Sequence, residues 1–241
     1  MTRILICGDS FGVMDPAFPG LHFSEKLHNA EIINLSRGGA SNAMVNVQLY
    51  QGLQHRPTHV IMLFTAQWRA EYNIYLSGLT NAELKHCVPG TKNSTWGVED
   101  MKAFNENTYI TSPYLRVRGV KHITDAYEGH LKYYFVDYDS IKTYFLIQGM
   151  FDRLTLLDIP FCFSFGGFEQ DYVDCRDRIF PTNYLTNTME TYINRAVKLN
   201  LWDHADQSNK PGKAVPVHHV IDDAVQAEFA RQCQEILYGT T

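Results

Sequence analysis

The sequence predicts a three-layer α/β fold, one parallel sheet between two layers of helices, on three observations. Four short apolar runs recur along the chain, at residues 3–8, 31–35, 59–64 and 160–165. None shows the polar alternation of a half-exposed sheet, and continuous apolar runs are what strands buried on both faces require. Stretches of helical periodicity lie between them, and strand alternating with helix is the pattern of a doubly wound parallel sheet.

The elements follow in order. Arg3-Ile4-Leu5-Ile6-Cys7 forms the first strand and stops at Gly8, and residues 18–28 supply a short helix behind it. The second strand, 31–35, leads into a helix over 41–54, apolar at Met44, Val45, Val47 and Leu49 and ended by Pro57. After the third strand, 59–64, the alternation lapses. Residues 72–138 are long, mixed and turn-rich, with Pro89-Gly90 and Asn93-Ser94, and read as an insertion. A structureless loop of that length is foreign to a compact domain, so local helices or a hairpin are expected within it, near 108–120. The clearest helix is 139–157, with Ile141, Tyr144, Phe145, Gln148, Phe151, Leu154 and Leu157 at helical spacing and Asp139 or Ser140 as its cap. The fourth strand, 160–165, is followed at a distance by a polar loop over 203–217. The last helix, 222–237, has an apolar stripe of Ala224, Val225, Phe229, Cys233, Ile236 and Leu237, and ends at Gly239. The expectation is one flavodoxin-like domain over 1–241, with an insertion at about 72–138.

Composition narrows the function. A net charge of −5 and a pI near 6.0 leave no electrostatic footprint for nucleic acid. No apolar run approaches a membrane span. The few residues before Gly8 are too short for a signal peptide, so a cytoplasmic protein is expected, with virion association as the alternative. The five cysteines lack C-x-x-C spacing, and Cys7 and Cys162 sit in apolar runs as small core residues. The ten histidines show no metal-ligand spacing, so no metal is expected. Neither Gly8-x-x-x-Gly12 nor Gly166-Gly167 makes a dinucleotide fingerprint. The first loop also lacks a phosphate-cradling run, so nucleotide or FMN binding is a weak third reading and no cofactor is expected.

Open parallel sheets bind ligands beyond the carboxyl ends of their strands. Three of those ends carry suggestive residues: Gly8-Asp9-Ser10, the run from Asn34 through Gly38-Gly39 to Asn42, and Thr65-Ala66-Gln67-Trp68-Arg69. His218-His219 precedes the last helix. This constellation resembles the SGNH (GDSL-like) hydrolase superfamily, and its phrasing is most similar to members from tailed phages. The resemblance implies that Ser10 is the nucleophile and supplies a backbone oxyanion donor, that Gly39 supplies a second, and that the base is one of the histidine pair. We favour His219, because neighbouring residues of an extended segment project to opposite sides and the family's histidine lies close before the last helix.

Two positions depart from the family. Its third motif carries an asparagine as oxyanion donor, whereas here Thr65 and Gln67 are the side chains able to donate. Its last motif places an acid three residues before the histidine, where this chain has Val215 and Pro216. Asp203, Asp206, Asp222 or Asp223 supplies the acid, or a Ser-His dyad works without one. Plainer readings stand beside these. Gly8-Asp9-Ser10 can be a capped turn, His218-His219 a surface pair, Asn42 a helix cap ahead of a substrate contact, and Arg69 the ion-pair partner of Glu71. Asn42, Gln67 and Arg69 remain the candidate substrate contacts. Two functions follow: a serine esterase acting on a small-molecule or acylated-carbohydrate ester, or a non-catalytic binding or virion-associated module on the same scaffold.

Overall fold

The computed structural model describes residues 1–14, 19–37, 40–66, 71–73, 109–111, 136–165, 189–204 and 221–239. Among them are strands β1 (Thr2–Cys7), β2 (Ala30–Asn34), β3 (His59–Leu63), β4 (Glu71–Asn73), β5 (Tyr109–Thr111) and β6 (Phe161–Ser164). The α-helices are α1 (Asn42–Gly52), α2 (Val136–Leu156) and α3 (Asp223–Tyr238). The chain divides into two compact units, Met1–Gln67 with Asp137–Thr241, and Trp68–Val136.

The first unit holds a wholly parallel sheet in the order β2-β1-β3-β6. Its period-two alternation sorts the side chains onto two faces. Ile4, Ile6, Ile61, Leu63 and Cys162 pack with Phe229, Ala230, Cys233 and Leu237 of α3. Leu5, Cys7, Val60, Met62, Phe161 and Phe163 pack with Val45 and Leu49 of α1 and with Ile147, Met150, Phe151 and Leu154 of α2. Helices therefore cover both faces, and the fold is the three-layer α/β arrangement that the sequence predicts. The sheet also continues one step past β6, where Phe163 bridges to Ala196 and its carbonyl accepts from the Val197 N–H at 2.8 Å.

Several local expectations are corrected. The helix expected over 18–28 is, among the described residues, only a 3-10 turn at Phe23–Lys26. Asp139 and Ser140 do not cap α2, because the backbone is already helical at Val136 and a cap residue must be non-helical. Helix α1 is over before Pro57: it tightens into a 3-10 turn and stops at Arg56, which adopts a left-handed conformation with φ 53°. Phe145 and Leu157 are exposed, and Ile147 and Met150 take the core positions on α2. Val47 and Ala224 likewise face outward, while Gln48 and Gln226 are buried. No described helix is long and apolar enough to cross a membrane.

In the second unit, β4 pairs antiparallel with β5, Tyr72 standing opposite Ile110. Of the stretch near 108–120, where local helices or a hairpin are expected, residues 109–111 are β5, paired with β4 at the start of the same unit, and residues 112–120 lie outside the described residues.

Candidate active site

Because the sheet is parallel, the segments after β1, β2 and β3 leave from one end. Gly8 follows β1 and is gripped from both sides. The Gln48 side chain of α1 accepts from the Gly8 N–H at 2.7 Å and donates to the Gly8 carbonyl at 3.2 Å. The Arg37 N–H, beyond β2, donates to the same carbonyl at 2.9 Å. A Cβ at position 8 would stand 2.7 Å from the Leu63 Cβ, so the neighbouring strand end leaves room only for glycine.

Ser10 then opens a 3-10 turn, Ser10–Gly12. The Asp9 carboxylate caps it, accepting from the Phe11 N–H at 3.0 Å. Gly12 N–H donates to the Asp9 carbonyl and Val13 N–H to that of Ser10. The capped-turn reading of Gly8-Asp9-Ser10 is therefore right as to Asp9. Among the described residues, however, neither the hydroxyl nor the N–H of Ser10 has a hydrogen-bond partner. The amides on either side at Gly8, Phe11, Gly12 and Val13 are all engaged. Ser10 keeps 8 % of its surface exposed, and Asp9 keeps 2 %.

The ends of β2 and β3 are tied to this turn and to α1. Asn34 donates to the Gly12 carbonyl at 2.7 Å and accepts from the Ser36 N–H at 3.0 Å. Gly12 faces the Ser36 hydroxyl so closely that any side chain there would collide with it. At β3, Asn42 and Thr65 form a reciprocal pair: the Asn42 amide donates to the Thr65 carbonyl and accepts from its N–H, both at 2.9 Å. Asn42 is thus not the cap of α1. Ser41 caps it, accepting from the Met44 N–H at 3.2 Å. Thr65 itself is fully buried.

Two of the candidate acids are engaged elsewhere. Asp222 caps α3, accepting from the Ala224 N–H at 2.8 Å, and Asp223 pairs with Lys26 at 2.5 Å. Asp203 stands exposed in a separate 3-10 turn, Trp202–His204. Gly39, Gln67, Arg69, Asp206, His218 and His219 lie outside the described residues.

Among the described residues, neither Cys7 nor Cys233 is a rival nucleophile. Burial pushes the Cys7 thiol far above its ordinary range, and burial with a contact from Cys162 does the same to Cys233. Such groups stay protonated and inert. A cavity of about 330 Å³ lined by Asp158, Pro160, Phe161 and Arg195 opens at the amino end of β6, away from the strand ends that carry Ser10.

Sequence reasoning missed the polar clamps. Gln48 sits three residues after Val45 and one before Leu49, and Gln226 three before Phe229, so each falls on its helix's apolar stripe. A glutamine in that register is the signal that was available.

No protein-family model matches the chain, and no curated protein matches it. A crystal structure of a member of the lipolytic protein G-D-S-L family from Veillonella parvula is similar, with a TM-score of 0.45, 10% sequence identity and 100% of each chain covered. The fold assignment above rests on this chain's own strand order and register.

Proposed function

We propose that the protein is a serine hydrolase acting on an ester of a small molecule or acylated carbohydrate, with Ser10 as nucleophile. The observation that carries this reading is the state of Ser10: its hydroxyl and N–H are unpartnered among the described residues, inside a turn whose other donors are engaged. Acyl transfer needs both groups. The hydroxyl attacks the ester carbonyl, and the N–H donates to the oxyanion that forms. In this reading the Gly39 N–H is the second donor and Thr65 the side-chain donor. His219 removes the Ser10 proton and returns it to the departing alcohol, with His218 as the alternative; water then releases the acyl group. The histidine pair stands in sequence just before α3, whose Phe229 belongs with Phe11 to the core on one face of the sheet.

A fluorophosphonate probe tests the proposal without a known substrate, since it needs only an activated serine. Wild-type protein should label and Ser10→Ala should not. His219→Ala should slow labelling about 10²-fold or more, with His218→Ala near wild type. The second reading, a non-catalytic module, is favoured by the missing third-motif asparagine at Phe64-Thr65-Ala66-Gln67. A wild-type protein that binds an acylated glycan but never labels would establish it instead.

A further inference from the structure

The 3-10 turn Phe23–Lys26 begins at His22, whose ring is buried and held at both nitrogens. Nδ1 lies 3.2 Å from the Ser24 N–H and 2.7 Å from the Ser24 hydroxyl. An amide N–H can only donate, so Nδ1 must be an unprotonated acceptor. The ring proton of the neutral imidazole is then on Nε2, which faces the Phe11 carbonyl at 3.0 Å. A carbonyl can only accept, so both ends of the ring demand the same tautomer.

Phe11 is the residue after Ser10, so this bond holds the turn that presents the serine. The other side of the clasp is anchored to α3. Phe23 N–H donates to Gln226 in the first turns of α3 at 2.9 Å, in a buried setting. The Phe23 ring packs edge-on against Phe229 at 4.9 Å, and the His22 ring lies 4.4 Å from that of Phe23. Lys26 reaches Asp223 at the helix start. One short segment therefore ties the Ser10 turn to the start of α3, the helix that the histidine pair precedes.

We propose that His22, as the neutral Nε2–H tautomer, is a positioning residue that sets the Ser10 turn against the start of α3. This rests on the reading of Ser10 as nucleophile. The two functions of the ring separate by substitution. In His22→Asn the amide oxygen replaces Nδ1, so the cap on Ser24 is kept and the donor to Phe11 is lost. In His22→Gln the amide nitrogen reaches the place of Nε2, so the donor is kept and the cap is lost.

The test is the fluorophosphonate labelling rate, with melting temperature measured alongside. His22→Asn should melt near wild type yet label at least tenfold more slowly, while His22→Gln melts lower yet labels within a few-fold of wild type. Wild-type labelling of His22→Asn, or equal loss in both variants, would overturn the clasp. If His22→Gln does not fold, His22→Asn against wild type decides alone. If the wild type itself never labels, Ser10 is not an activated nucleophile, and the clasp is judged by hydrogen exchange at Gly12 and Val13. Faster exchange in His22→Asn than in wild type then supports it, and equal exchange overturns it.

Discussion

The two faces of the parallel sheet are packed by different chemistry. The face toward α1 and α2 is a cage of rings. Phe151 stands 4.5 Å from Phe163, 5.1 Å from Phe161, 5.2 Å from Tyr192 and 5.9 Å from Phe64. The face toward α3 is mostly aliphatic, with two buried thiols, Cys162 and Cys233, and among the described residues its Phe229 has one ring neighbour, Phe23. Polar clamps also differ. On the ring-filled face Gln48 holds Gly8, at the strand end itself; on the other, His22 and Gln226 hold the turn from outside the sheet. One face fixes where β1 ends, and the other fixes the turn beyond it.

The largest expected effect tests the packing. Aromatic pairs contribute roughly 0.5–1.5 kcal/mol beyond area burial, non-additively. A phenylalanine-to-leucine change alone costs about 1.5 kcal/mol or less when the volume is nearly conserved. Phe151→Leu, which removes four ring contacts, should therefore lose about 3 kcal/mol in urea unfolding. Phe229→Leu, with one contact, should lose about 1–2 kcal/mol. Equal losses would mean that the ring cage adds nothing beyond its volume.

A smaller effect separates the clamps. Gln48→Leu strands the buried Gly8 N–H, while the Gly8 carbonyl keeps the Arg37 N–H. Leaving a buried donor unpaired costs about 1–3 kcal/mol. Gln226→Leu strands the Phe23 N–H, also buried, but on a short 3-10 segment that no strand ladder holds and that can shift toward another partner. About 1 kcal/mol is expected there. If Gln226→Leu proves the costlier, the α3 face is the stiffer support and the comparison reverses.

The same contrast governs how much was legible in the sequence. The strands could be read because burial on both faces leaves unbroken apolar runs, and β1, β3 and β6 are such runs. The edge strand β2 was also found, through Ile32 and Ile33, though it is only half-buried. Ser10 was singled out as a candidate through its Gly-Asp-Ser context. The clamps were not, because a polar residue is read by default as solvent-facing: Val47 was taken as core beside Gln48, and Ala224 beside Gln226. On α2 the predicted stripe is buried at Tyr144, Gln148, Phe151 and Leu154, but it included Phe145, which lies two residues and about 200° from the core residue Ile147. The bridge at Ala196 left no signal, because a single paired residue has no period.

The smallest effect lies where β3 begins against the end of α3. The His59 ring meets the Tyr238 ring edge-on at 4.9 Å, and its Nδ1 lies 2.9 Å from the Thr58 hydroxyl. Burial lowers the His59 pKa and raises that of Tyr238. The signs come from linkage. Below the ordinary histidine value near 6.5 the unfolded chain takes up a proton that folded His59 resists, so stability is complete above that pH and falls as pH drops toward the folded pKa. Above the ordinary tyrosine value near 10 the unfolded chain loses a proton that folded Tyr238 keeps, so stability falls again as pH rises. Both groups are partly exposed, so the steps are shallow. The measurement is the urea midpoint of wild type and two variants across pH. His59→Gln should flatten the acid limb and leave the alkaline one, and Tyr238→Phe should do the reverse. If either variant keeps the limb it is meant to remove, that titration belongs to another group, and the contact at the amino end of β3 is pH-neutral.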